Sequence, residues 1–310
     1  MDNKWVKVFM YQLITPKLDP SGTGSYLEER FDENHFISFL RKIMDQPLQD
    51  RIFDTGDKVM TLESFSLSDD ADFYEGHFTA FRYGEVTNLV HRRTFRKRPS
   101  DKTIDEGDEN NVYFVIERVT GRLFLQSDGK RLVTRNSIDK YLRNFYPLFE
   151  NDINQINRMI SPLMITPMNL YAIKTIYAES FYEEINKLLR IKKATMQVKF
   201  NQDINSDVVN AIRAGAEGVD GADTIEYALI NKERRGSMRK VEQFLRNLEE
   251  INKYENIVVE GTEESGKPKA IKLEDHPKDF SIKVSVNENG IISFQELING
   301  IIDKVKRSSI

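Results

Sequence analysis

Apolar and polar positions follow two periods along this chain, and the changes of period mark its elements. Over residues 5–13 apolar side chains fill both faces of a period-two pattern, Trp5, Phe9, Tyr11 and Leu13 on one side and Val6, Val8 and Met10 on the other, which predicts a strand central in a sheet. Residues 16–25, with Pro20, Gly22 and Gly24, form a turn-rich connection. The spacing of Phe36, Ile37, Leu40, Ile43 and Met44 predicts a helix capped by Asp32. Residues 51–54, 58–65 and 73–86 read as strands, the last with a bulge at Gly76, and 113–118 with 122–126 make a hairpin about Thr120 and Gly121. Ser137 caps a further helix with Ile138, Tyr141, Leu142, Phe145 and Leu148 on one side.

Pro162 and Pro167 mark a hinge. Beyond it, 170–176 reads as a strand, 180–189 as a helix with Phe181, Ile185, Leu188 and Leu189 inward, and 194–200 as a strand. Ser206 caps a helix over 207–216 that Gly218 and Gly221 end, and 224–230 is a strand. Ser237 caps a long helix over 238–254 with the stripe Val241, Phe244, Leu245, Leu248 and Ile251. Strands at 257–259, 271–273 and 280–286 and an amphipathic helix over 293–305 complete the pattern. The fold class this predicts is α+β: a mostly antiparallel, sheet-rich domain over 1–160, then a mixed α/β domain over 161–310 with helices packed on a mixed sheet. A length of 310 residues suits two domains.

Charge narrows the function classes. The net charge is -4, so any hold on a polyanion must come from local patches rather than the global field. The absence of cysteine excludes disulfides, thiolate catalysis and zinc–cysteine sites. The N-terminus lacks the apolar core of a signal peptide, and no apolar run reaches the ~18 residues of a membrane span, so the expected location is the cytoplasm.

The densest charge is the run from His91 to Arg98, which holds Arg92, Arg93, Arg96, Lys97 and Arg98 around Phe95. Arginine offers paired donors to phosphate oxygens, and neutralising phosphates releases counterions. Phe95 would stack on an unpaired base or turn inward. The alternative is a charged strand edge that resists edge-to-edge pairing, with the acidic segment 101–111 folded back over it. The tip of that segment, 103–110, is too polar to pack and is expected to be mobile. A second run carries Arg234, Arg235, Arg239 and Lys240 at the start of the predicted long helix. Cations conflict with the positive end of a helix dipole, and an anion bound there would relieve the conflict; the alternative is a solvated loop. Lys187, Arg190, Lys192 and Lys193 read as a charged turn.

His35, His77, His91 and His276 are nowhere at metal-ligand spacing. Asp220, Asp223 and Glu226 are the one carboxylate group that a metal-dependent nuclease would use, though the same glycine-rich segment reads as a turn. No phosphate-loop lysine follows Gly215-Ala216-Glu217-Gly218. These patterns assign no catalytic residue, cofactor or metal.

Phe78-Thr79-Ala80-Phe81-Arg82-Tyr83-Gly84, the hairpin over 113–126 and the helix-to-strand passage over 181–200 mark the order of elements along the chain. In that order the chain resembles bacterial phage-exclusion and phage-defence proteins of the RexA and KwaB kind. The resemblance implies a two-domain DNA-binding protein, commonly a dimer, that responds to phage infection, and it brings no motif on which to place site residues. The expected function is sequence-nonspecific binding of double-stranded DNA in anti-phage defence, by phage exclusion or abortive infection. The expected protein is a homo-oligomer that touches phosphates through the two arginine-rich runs. The alternatives are a metal-dependent nuclease effector, or a module that grips an acidic phage protein or a partner defence protein.

Overall fold

The computed structural model describes residues 2–18, 26–28, 30–160, 164–166, 170–199, 207–216, 224–248, 254, 256–288 and 290–308. In chain order its strands are β1 (Asp2–Ile14), β2 (Lys17–Leu18), β3 (Tyr26–Glu28), β4 (Phe53–Asp54), β5 (Lys58–Leu67), β6 (Phe73–Arg82), β7 (Asn88–Val90), β8 (Lys97–Pro99), β9 (Asn110–Glu117), β10 (Arg122–Gln126), β11 (Ala172–Thr175), β12 (Arg190–Lys199), β13 (Thr224–Ile230), β14 (Asn256–Thr262), β15 (Pro268–Lys272) and β16 (Asp279–Val286). Its α-helices are α1 (Glu33–Met44), α2 (Arg135–Asn144), α3 (Glu150–Met159), α4 (Ser180–Asn186), α5 (Asp207–Gly215), α6 (Val241–Arg246) and α7 (Phe294–Ser308). Antiparallel sheets with helices make this an α+β protein. Among the described residues no helix is long and apolar enough to cross a membrane.

The chain forms two compact units: Met1–Phe9, Phe31–Asn154 and Phe280–Ile310 make the first, and Met10–Arg30 and Gln155–Asp279 the second. This differs from a single division at residue 160. The last strand and helix join the first unit because their apolar sides, Ile282 and Val284 of β16 and Leu297, Ile298, Ile301 and Ile302 of α7, are buried there. The hinge prolines Pro162 and Pro167 lie outside the described residues.

The sheet of the first unit runs β1-β10-β9-β6-β5-β4, with β16 also paired to β1. Two helices cover one face. Phe36, Ile37, Phe39, Leu40 and Ile43 of α1 are buried, each worth at most ~1.5–3 kcal/mol of transfer free energy. Thr134 rather than Ser137 caps α2; Ser137 is the reciprocal partner in a capping box, three residues on. Tyr141 of α2 meets Phe78 edge-on at 5.5 Å. On α7, Phe294 packs on Tyr113 at 4.6 Å, and a Cβ at Gly300 would come within 2.5 Å of Ile282, so only glycine lets α7 approach β16 this closely. The bulge expected at Gly76 sits instead on β5, between Leu62 and Ser64. A Cβ at Gly76 would overlap the Ser64 carbonyl and the Phe114 ring, so that glycine serves close packing.

The outer edge of β5 shows how side chains finish a ladder. Because β4 pairs only with Val59 and Met60, the backbone of buried Leu62, paired with Phe78 of β6 on one side, has no strand on the other. Its N–H donates to the Tyr141 hydroxyl at 3.0 Å, its carbonyl accepts from Arg51 Nη1 at 3.1 Å, and the Tyr141 hydroxyl donates to the Arg51 carbonyl at 3.1 Å. Tyr141→Phe leaves these groups without that partner. The expected loss is about 1–3 kcal/mol, read as a lower urea midpoint with an unchanged far-ultraviolet circular dichroism spectrum.

In the second unit the second half of β1 pairs with β11, and a separate sheet runs β13-β12-β14-β15. Ala194, Met196 and Val198 alternate inward along β12, against Phe181 and Ile185 of α4 and Val241 and Leu245 of α6. Arg246 stacks on Tyr182, 4.0 Å from the ring centroid, and pairs with Glu179 and Glu242, tying α6 to α4. Glu184 accepts from Lys187 at 2.6 Å and from Lys269 at 2.8 Å. These two bonds, that of Lys187 first, hold its carboxyl at about 2, below the ordinary 4.5. A depressed carboxylate stabilises the fold above its unfolded value and loses that contribution as pH falls through its folded value. Glu184→Gln is therefore expected to be less stable than wild type at neutral pH, with the gap closing between pH 4.5 and about 2; urea midpoints measured against pH read this directly.

Candidate nucleic-acid interface

β6 ends at Arg82 and β9 begins at Asn110, yet the two strands pair side by side, Ala80 opposite Asn110. The segment between them leaves the sheet and returns to it at adjacent points. Its root is tied by the Tyr83 hydroxyl, which donates to Asp54 at 2.8 Å, and by the Gly84 N–H, which donates to the Ile104 carbonyl at 2.8 Å. From there β7 and β8 form a two-stranded ribbon of their own, Asn88 opposite Pro99, Leu89 opposite Arg98 and Val90 opposite Lys97. The arginine-rich run is thus neither an edge strand of the main sheet nor an inward one. It is the tip and returning strand of a hairpin arm.

Every residue from Gly84 to Pro99 is exposed. At the tip the His91 N–H donates to the Arg96 carbonyl and the Phe95 N–H to the His91 carbonyl, both at 2.9 Å. His91 Nδ1 lies 3.2 Å from the Thr94 N–H nitrogen and 3.0 Å from its hydroxyl. Phe95 takes a left-handed backbone, φ 54°, and is 79% exposed. Among the described residues Arg92, Arg93, Arg96 and Lys97 have no carboxylate partner, while Arg98 pairs with Asp101 at 3.3 Å on the surface, a contact worth ~0–1 kcal/mol.

Beyond Asp101 the acidic segment bonds locally and does not pair with the run. Asp108 pairs with Lys102, whose hydrogen bond lowers the Asp108 carboxyl from its ordinary value. Glu106 accepts from the Thr103 N–H at 2.6 Å, which lowers its carboxyl too. Gly107 packs so tightly on the Arg82 carbonyl and the Phe81 ring that a Cβ there would overlap both. The segment expected to be unpacked is held down by these local bonds.

The second run lies in the second unit and has a different structure from the one expected. The helix described there spans only Val241–Arg246; Lys240 occupies its N-cap position, and residues 249–253, with Ile251, lie outside the described residues. Ser237 does not cap it, because its hydroxyl accepts from the Ile191 N–H at 3.0 Å. The loop before the helix wraps the ammonium of Lys192, which donates to the carbonyls of Glu233, Gly236 and, at 3.4 Å, Arg234. The backbone of this run thus serves the fold, and the helix-dipole case for an anion here does not hold. Arg234, Arg235, Arg239 and Lys240 remain exposed side chains, with no carboxylate partner among the described residues. In the third cluster Lys187 pairs with Glu184 and Lys193 with Glu260 at 3.5 Å.

One grouping escaped the sequence because only strand register creates it. Ser64 faces His77 across β5 and β6, Oγ to Nδ1 at 2.6 Å, with Glu63 4.0 Å from Nε2. Burial lowers the His77 pKa. Glu63 accepts from the Thr79 hydroxyl and is too far from Nε2 to orient the ring, so this is a half-buried hydrogen bond rather than a triad. Strand pairing also sets Lys58 beside Arg82, and both line a cleft of about 260 Å³ with Lys140 and Asp57. Asp220 and Asp223 lie outside the described residues, while Glu226 accepts from Gln197 at 2.5 Å. Among the described residues no group of three His, Asp or Glu side chains could hold a metal ion.

Fold and surface together define an α+β protein with a cation-tipped β-ribbon. No protein-family model matches the chain, and no curated protein matches it.

Replacing Lys192 by methionine keeps the stem and removes the donor from the loop carbonyls. The expected effect is a stability loss of about 1–3 kcal/mol, with faster amide exchange over residues 233–238 and an intact sheet.

Proposed function

We propose that this protein binds double-stranded DNA without sequence preference through the β7–β8 ribbon. The observation that carries this reading is a fully exposed hairpin arm whose tip gathers Arg92, Arg93 and Arg96, with Lys97 beside them, none of them neutralised by a carboxylate among the described residues. Like charges held together on a short arm repel one another, and phosphates relieve that repulsion while releasing counterions. The geometry suits a duplex. Strands of a ribbon lie about 4.8 Å apart, and the major groove, about 12 Å wide, admits two of them. Arg98, Arg234, Arg235, Arg239 and Lys240 would add phosphate contacts. The net charge of -4 confines binding to such patches and opposes it elsewhere.

The setting we propose is anti-phage defence in the bacterial cytoplasm by a homo-oligomer, and it rests on the resemblance in element order alone. Changing Arg92, Arg93 and Arg96 together to alanine is expected to weaken duplex binding and to flatten its salt dependence. Each lost phosphate contact removes about 0.9 from the slope of log K against log salt. A fluorescence titration of a labelled duplex at several salt concentrations measures both. A triple variant with unchanged affinity and slope would sink the proposal, and capture of an acidic protein in place of DNA would turn it towards a protein partner.

A further inference from the structure

We infer that Phe95 is a wedge that enters a DNA duplex between two base pairs, at a step that is already unstacked or is easily unstacked. The inference rests on the DNA-binding reading and adds what the tip recognises.

Three observations lead there. Phe95 stands 79% exposed at the convex end of the ribbon, where an apolar ring gains nothing from water. Its φ of 54° is a backbone conformation that favours glycine and asparagine over a ring-bearing residue. And the tip is braced: the two backbone bonds between His91 and residues 95 and 96, with Thr94 bonded to the His91 ring, fix the turn that holds Phe95 outward. A strained and exposed aromatic held outward by its own turn is not packing filler, and no other ring stacks on it among the described residues. Arg92, Arg93 and Arg96 flank it in sequence, so that phosphates on either side of an opened step fall to cations on either side of the ring.

The form of the tip selects the partner. Proteins that follow single strands use several aromatic rings along a groove, whereas this is one ring on a projecting point. In proteins that bind the minor groove an apolar wedge between base steps partly unstacks them and kinks the duplex, and one ring on a narrow projecting tip is suited to the same insertion. A-form RNA has a major groove too deep and narrow to admit such an arm. A DNA duplex with a weakened step is the ligand that fits.

The experiment compares an intact DNA duplex with the same duplex carrying a two-base mismatch, each labelled at its ends for energy transfer. The proteins are the full-length wild type, Phe95→Ala, Phe95→Trp and the Arg92/Arg93/Arg96 alanine variant. Because the mismatch removes much of the unstacking cost, wild type is expected to bind the mismatched duplex about tenfold tighter and to raise end-to-end transfer. Phe95→Ala is expected to bind both duplexes alike without raising transfer, Phe95→Trp to keep the preference, and the arginine variant to bind both duplexes more weakly. Phe95 is so exposed that its replacement leaves no cavity. Equal wild-type affinity for the two duplexes, or a preference that survives in Phe95→Ala, would overturn the wedge and leave the phosphate-binding reading standing. Wild type that binds neither duplex would remove that reading and the wedge with it.

Discussion

The ladder between β6 and β9 is the constraint on which the candidate site depends. Its register, Phe73 opposite Glu117 through Ala80 opposite Asn110, brings both roots of residues 83–109 to one place on a buried sheet. Ala80 and Val112 beside those roots are almost wholly inaccessible, so the roots cannot spread. Loop closure is thereby supplied by the sheet, and the excursion needs no core of its own. Connections this long within a domain are uncommon and usually functional. Here the excursion contains a complete two-stranded ribbon and a packed acidic turn.

The two charged parts of the excursion have opposite fates for a geometric reason. The acidic turn is short enough to satisfy itself, through Lys102 with Asp108 and Glu106 with the Thr103 amide. Its glycine is pressed against Phe81 and Arg82 at the root. Of the ribbon's cations only Arg98, next to Asp101, has a carboxylate partner among the described residues. In the second unit the outcome reverses. There the backbone of the basic run is drawn in around the Lys192 ammonium, and holding an ammonium among loop carbonyls is a structural use of charge. The ribbon run carries four arginines and the loop run three, and tertiary contacts separate their roles.

The first unit is assembled from the two ends of the chain and its early middle. β16 pairs with β1, and α7 lies on β9 through Phe294 and Tyr113, so this unit is completed only when the last residues arrive. Pairings this distant in sequence raise contact order and slow folding. They also place a covering helix where the middle of the chain offers none.

The sequence by itself determined the class and most of the elements. Period-two and helical spacing located β1, β9, β10, β13, α1 and α7 within a few residues, because those segments bury a face whose pattern is local. It also singled out the arginine-rich run, since charge density needs no structure to be seen. Only the tertiary structure decided that this run is the tip of a free-standing ribbon and that Phe95 points outward, because both follow from a pairing, Val90 with Lys97, that no periodicity announces. The same holds for the long helix expected after Ser237. Its hydroxyl was claimed by the Ile191 amide of a strand 46 residues away, and a hydroxyl engaged in that non-local hydrogen bond does not serve as the helix cap that local sequence favours. Local preference settled most of the strands and helices; non-local pairing settled the β7–β8 ribbon and which charges were left for a partner.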